Sequence, residues 1–124
     1  MRLACVILLA NGVYDLACAL SILWNPSGWA LHALSQLHLG MYSNAQEDPV
    51  FRRMLAYWIF TYGGVRVACG LHANARVGSL TYFLEALCLC YEHLAGGTLH
   101  AHSAAIVCGL CVSLGWYIML QDRR

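Results

Sequence analysis

Between Phe51 and Thr98 the chain carries full charges inside apolar runs long enough to cross a bilayer, and that combination leaves few folds open. The run MLAYWIFTYGGVRVACGL holds Arg66, and the run SLTYFLEALCLCYEHLAGG holds Glu85 and Glu92. A charge at the bilayer centre costs about 2.5–3.5 kcal/mol even on lenient insertion scales. Such groups must therefore face neighbouring helices and pair. With 60% apolar and 10% charged residues in 124, there is too little charge to cover a soluble globule of this size, so the sequence reads as an integral membrane protein.

Four apolar runs, about 3–23, 54–72, 79–96 and 102–120, have the length of membrane spans. The first holds Asn11 and Asp15, which interrupt what would be the apolar core of a signal peptide, so it reads as a retained span. Lying four apart, the two share a helical face. Asn25-Pro26-Ser27-Gly28 is turn chemistry that ends this span, with Ser27 placed to cap a short helix. The following WALHALSQLHLGMY mixes apolar residues with His32, Gln36 and His38 but has no charge, which suits a helix lying at the membrane interface. The expected fold is an all-α integral membrane four-helix bundle, one domain over 1–124, with a short interfacial helix between spans one and two.

Small residues mark the expected contacts between helices. Gly63-Gly64 permits close backbone approach or a kink, and Ala105, Gly109 and Ser113 form a small-xxx-small stripe on the last span, for contact with another helix of this chain or of a partner. Arg2, Arg76, Arg123 and Arg124 fall on one side of a four-span arrangement. Arg52 and Arg53, beside Glu47 and Asp48, fall on the other. The positive-inside rule then puts both termini in the cytosol or an organelle interior.

Depth decides which charges meet. At 1.5 Å per residue, Arg66 and Glu85 each lie about 9 Å from the turn joining their spans and are placed to pair. Asp15 and Glu92 fall at roughly 18–20 Å by the same count. Glu85, Cys88 and Glu92 share a stripe. Two carboxylates at one depth fit separate solvation, a shared proton, or a pair flanking a cationic substrate intermediate.

No cofactor is predicted. All seven cysteines lie in apolar segments, where cysteine acts as a small hydrophobe. Cys108-x-x-Cys111 has no strand–helix–strand context and no second such pair to complete a zinc site. His32 and His38, six apart, miss the spacing that places two ligands on one helical face. His72 and His93 end their spans on opposite sides and cannot hold one haem. The net charge of +1 and the lack of a basic patch give no case for nucleic acid.

The pattern Arg53-x4-Trp58-x7-Arg66-x2-Cys69, then Thr81-Tyr82, Glu92 and Gly97-Thr98, resembles the central part of the ergosterol-biosynthesis scaffold family, small four-span endoplasmic-reticulum proteins that hold sterol 4-demethylation enzymes together. The turn between spans two and three is shorter here than in that family, and the long basic tail of several members is missing. The resemblance implies a non-catalytic scaffold in which Trp58, Arg66 and Glu92 are architectural. Its partners would be other integral membrane proteins, with a lipid or sterol as candidate ligand, in the endoplasmic reticulum.

Two other readings stay open. One is a small sterol-isomerase-like enzyme using Asp15, Glu85 and Glu92 with Trp58, Tyr62 and His93 around a carbocation. The other is an accessory subunit of a respiratory or photosynthetic complex in an organelle inner or thylakoid membrane.

Overall fold

The computed structural model describes residues 2–24, 29–43 and 48–122, with the side chains of 29–31 left aside. The expected turn over Asn25–Gly28 with Ser27 as a cap, the side chains of Trp29 and Leu31, and the loop or tail charges Glu47, Arg123 and Arg124 lie outside the described residues. Five α-helices follow one another: α1 Leu3–Trp24, α2 Trp29–Leu39, α3 Pro49–Leu71, α4 Ala75–Tyr91 and α5 Ala101–Asp122. Among the described residues there is no strand, only an isolated bridge between Tyr42 and Leu99.

The helix ends follow local chemistry. Helix α3 starts five residues before the apolar run because Asp48 caps it, accepting from the Val50 and Phe51 amides at 2.8 and 3.2 Å, while Pro49 occupies the first turn. Helix α4 starts at Ala75, capped by Asn74. Its regular part stops at Tyr91, short of the expected 96, and passes into a π-turn over Glu92–Gly96. Gly97 then takes φ +67°, where a Cβ is disfavoured, and its amide donates to the Glu92 carbonyl at 2.9 Å.

Two antiparallel helix pairs make the body. Helix α1 packs chiefly on α3, and α4 chiefly on α5. In the first pair, small residues recur every seven positions on both helices: Cys5, Gly12 and Ala19 against Gly70, Gly63 and Ala56. A Cβ on Gly12 would lie 2.8 Å from the Gly63 carbonyl oxygen, and one on Gly70 would lie 3.0 Å from that of Cys5. Ala19 and Ala56 are both fully buried in one cluster. Small side chains thus let the two backbones touch along the whole seam. The second pair repeats the spacing with larger residues, Ala75, Tyr82 and Leu89 on α4 and Ile118, Cys111 and Ala104 on α5, all buried.

The structure separates the candidate packing residues. Gly63 lies in the α1–α3 seam, but Gly64 faces open space with nothing within 4 Å of a built Cβ. Ala105, Gly109 and Ser113 are exposed, and a Cβ on Gly109 also meets nothing. That stripe packs on no helix of this chain. Helix α5 turns the neighbouring face, with Ala104, Cys111, Gly115 and Ile118, to the interior, because bulky Phe83 and Tyr82 on α4 fit against the small residues there.

Charges gather at the two ends. Arg2 and Arg76 approach Asp122 at 3.5 and 3.9 Å at one end; these exposed pairs mark topology more than they stabilise. At the other end the segment after α2 is strapped to the α4–α5 connection, the Ser43 amide donating to the Thr98 carbonyl at 2.9 Å and the His100 amide to that of Met41 at 3.0 Å. Between the ends the outer faces of all four long helices are apolar, with Val13, Leu20, Phe60, Val65, Leu80, Leu87, Leu110 and Val112 exposed. Helices α1 and α5 are long and apolar enough to cross a membrane.

Candidate functional site

The contact between the two helix pairs is slighter than the contact within them, and its centre is an ion cluster built on Arg66. Gly63 brings α1 close enough that a Cβ there would lie 2.8 Å from Asp15 Cβ. Arg66, three residues on, reaches back along α3 by its long side chain. Its Nη1 donates to Asp15 Oδ2 at 2.7 Å and its Nη2 to Glu85 Oε2 at 2.6 Å. The third direction is also filled, Nε donating to Thr81 Oγ1 at 2.9 Å. Thr81 gives its own proton to the Gly78 carbonyl at 2.7 Å, which leaves its oxygen free to accept.

The remaining partners complete the enclosure. Asn11 Nδ2 donates to the same Asp15 oxygen at 2.8 Å. The guanidinium plane stacks between two rings, Tyr82 at 3.7 Å and Tyr62 at 4.5 Å from ring centroid to Cζ. Arg66 is 1% exposed, Asp15 3% and Glu85 8%. A planar group that forks onto carboxylates and stacks on aromatic faces is the one cation suited to this environment.

Above the cluster, between the helix pairs, lies a cavity of about 340 Å³ lined by residues of all five helices. Asp15, Arg66, Tyr82 and Glu85 lie on its polar side, and Leu55, Ile59, Leu89, Leu110 and Leu114 contribute apolar wall. Tyr14, His38, Tyr42 and Trp58 line it as well. A second hollow of about 230 Å³ shares Tyr42, Leu55, Trp58 and Leu89 with it and reaches Met54 and Cys88 on the outside of α3 and α4. Tyr82, 1% exposed, has no hydrogen-bond partner for its hydroxyl among the described residues. The His38 ring lies tilted against Tyr14 at 6.2 Å. Burial holds the His38 pKa below its ordinary 6.5, against the opposing pull of Glu85. Burial also pushes the Tyr42 hydroxyl up to about 12, with Glu92 and Glu85 adding to it.

No protein family, characterised protein or solved structure matches this chain.

The structure distributes the sequence-stated residues differently from a count along the helices. Arg66 and Glu85 meet. Asp15, which the depth count sets beside Glu92, instead joins Arg66, because the close α1–α3 seam brings its Cβ against Gly63 and the arginine side chain spans the remaining turn. Glu92 is elsewhere, at the π-turn, where the Thr98 hydroxyl donates to its carboxylate. A Cβ on Gly96 would overlap that carboxylate, so Glu92, Gly96, Gly97 and Thr98 form one closure of the α4 end. His93 Nδ1 contacts the Leu99 carbonyl at 2.9 Å in the same closure.

Trp58 lines the cavity and meets Tyr62 edge to face at 5.9 Å. Arg53 is exposed near the start of α3. Tyr14 and Tyr42 are cavity residues that sequence reasoning passed over, and Tyr82 and His38 entered it without a place beside the charges. The four-residue spacing of Thr81 and Glu85 and the seven-residue spacing of Ala75, Tyr82 and Leu89 are the signals that point to the face they share. Among the described residues no group of three or more metal-ligating side chains comes together.

Proposed function

We propose that this protein is an integral membrane four-helix bundle that works by association, as a non-catalytic scaffold or accessory subunit for other membrane proteins. The observation that carries this reading is the placement of charge. Asp15, Arg66 and Glu85, the charged residues in the middle of the long helices, are turned inward and paired, while the outer faces between two charged ends are apolar. A water-exposed exterior would reverse that pattern. Every donor nitrogen of Arg66 is engaged by the chain's own groups, as a latch between helix pairs requires.

The exposed Ala105/Gly109/Ser113 stripe is where a partner helix would approach, since small residues allow close contact and a Cβ on Gly109 meets no described atom within 4 Å. Tethering of sterol-biosynthesis enzymes in the endoplasmic reticulum is the specific form of this reading, supported by the resemblance of the 51–98 block. The test is purification in mild detergent with native gel and mass spectrometry, comparing wild type with Gly109→Leu. Co-purifying membrane proteins lost in the variant, with its thermal stability unchanged, are expected. A wild-type protein that always purifies as a single chain alone would sink the reading.

An isomerase-like enzyme is the second reading, favoured by one observation: Asp15 and Glu85 line the same cavity with Tyr62 and Tyr82. Glu92 and His93 drop out of it, being held in the closure at the end of α4. Full assembly with abolished cellular function in Glu85→Gln alone would favour the enzyme over the scaffold.

A further inference from the structure

The cluster beneath the cavity carries two carboxylates, Asp15 and Glu85, and one guanidinium. With both carboxyls ionised it is one negative charge in excess, and each nitrogen of Arg66 already donates to one of the chain's own groups. An excess buried charge is expensive, and it is relieved by a proton taken up on one carboxyl or by a cation that donates hydrogen bonds to both. A protonated amine is such a cation, and its arrival displaces that proton. Tyr82 makes an independent observation in the same place: it lines the cavity, is 1% exposed, and its hydroxyl has no partner.

The walls fit the same kind of guest. Tyr14, Tyr42 and Trp58 line the cavity as aromatic surface, and electron-rich ring faces attract ammonium groups. The volume of about 340 Å³ lies within the usual range for small-molecule sites, roughly 300–1,000 Å³. The second hollow continues past Trp58 and Leu55 to Met54, itself 61% exposed, with Glu92 at its rim held by Thr98, and offers an apolar chain a way out between α3 and α4.

We infer that this cavity is a binding site for an amphiphile with a single protonated amine as its head, the ammonium seated against Asp15 and Glu85 and the apolar chain leaving past Trp58 between α3 and α4. The exit of the chain into lipid rests on the membrane reading above. The head site rests on the cluster and cavity alone. Neutral hydroxylated amphiphiles supply a donor but no charge, and carboxylates meet the excess negative charge with repulsion.

The test uses the whole protein, purified in phosphatidylcholine nanodiscs, with dodecylamine as the probe and empty nanodiscs as the baseline for partitioning. Binding is followed by calorimetry and by the shift in unfolding temperature. Saturable one-to-one binding of dodecylamine is expected, at least tenfold tighter than that of dodecanol and absent for dodecanoate. Glu85→Gln should weaken it at least tenfold. Leu114→Trp adds bulk to the apolar wall that α5 gives the cavity and keeps all three charged residues, and it should abolish binding while the protein stays folded. Equal binding of dodecanol and dodecylamine, or undiminished binding in Leu114→Trp, would overturn the inference. So would the lack of saturable binding above the empty-disc baseline. The measurement needs no protein partner, so its failure leaves the association reading standing, and a failure of association leaves this one standing.

Discussion

Two adjacent glycines on α3 offer a comparison in which local propensity cancels and only tertiary packing remains. An alanine at position 63 would put its Cβ 2.8 Å from Asp15 Cβ, 3.2 Å from the Gly12 carbonyl oxygen and 3.3 Å from the Leu16 amide nitrogen. Optimal carbon–carbon separation is about 3.5–4.0 Å, so α1 must retreat by several tenths of an ångström to more than one. Two of those three neighbours are backbone and cannot rotate away. An alanine at position 64 would meet nothing within 4 Å. Both changes gain about 0.8–1 kcal/mol of helix propensity. Overpacking at position 63 is expected to remove about 1–3 kcal/mol, the range for an added methylene in a close-packed site.

The expected result is that Gly64→Ala is neutral or stabilised, while Gly63→Ala is less stable than Gly64→Ala by about 1–3 kcal/mol. Moving Asp15 away from Gly63 also stretches its bond to Arg66, so Gly63→Ala and Asp15→Asn should combine non-additively, as neighbours in one network do. Reversible unfolding by sodium dodecyl sulfate in mixed micelles, followed by circular dichroism, measures both. If Gly63→Ala and Gly64→Ala unfold at the same detergent fraction, the close α1–α3 seam is wrong, and with it the placement of Asp15 on Arg66.

Arg66→Lys keeps the charge but cannot fork onto Asp15, Glu85 and Thr81 together, and a loss of about 1.5–3 kcal/mol in the same assay, one charged hydrogen bond, is expected; wild-type stability would contradict the three-way arrangement. His38 is held neutral by burial, so the unfolded chain takes up a proton at higher pH than the folded one. Stability should be fully present above its ordinary 6.5 and fall as pH drops through and below that value, a dependence that His38→Phe removes; an unaltered pH profile in that variant would show that His38 is not the group responsible. Cys90 and Cys108 place their sulfurs 3.3 Å apart on α4 and α5. Copper phenanthroline, which supplies the oxidant, should therefore join them within one chain, seen as a disulfide-linked peptide by mass spectrometry; dimers alone would refute the α4–α5 register.

Much of the architecture was legible from the chain itself. Apolar runs of span length, Gly and Pro at their ends, and full charges within them determine a set of long helices whose charged faces turn inward, because lone charges in apolar surroundings are too costly to leave unpaired. The meeting of Arg66 with Glu85 follows from equal distance to a shared turn. The capping of α3 by Asp48 ahead of Pro49 is likewise local chemistry, although the apolar run begins later and hides it.

What the tertiary structure decided is where one helix lies against another. A depth count treats every helix as starting from a common plane, but the offset between α1 and α3 is set by the small residues that interlock, Cys5, Gly12 and Ala19 with Gly70, Gly63 and Ala56. That offset, together with the reach of an arginine side chain, moved Asp15 away from Glu92 and onto Arg66. The same reason separates Gly63 from Gly64, identical residues next to each other, and leaves the Gly109 stripe facing outward. The cavity belongs wholly to this level. It exists because two tight pairs meet at the ion cluster without closing fully around it, and no short stretch of sequence encodes a gap between five helices.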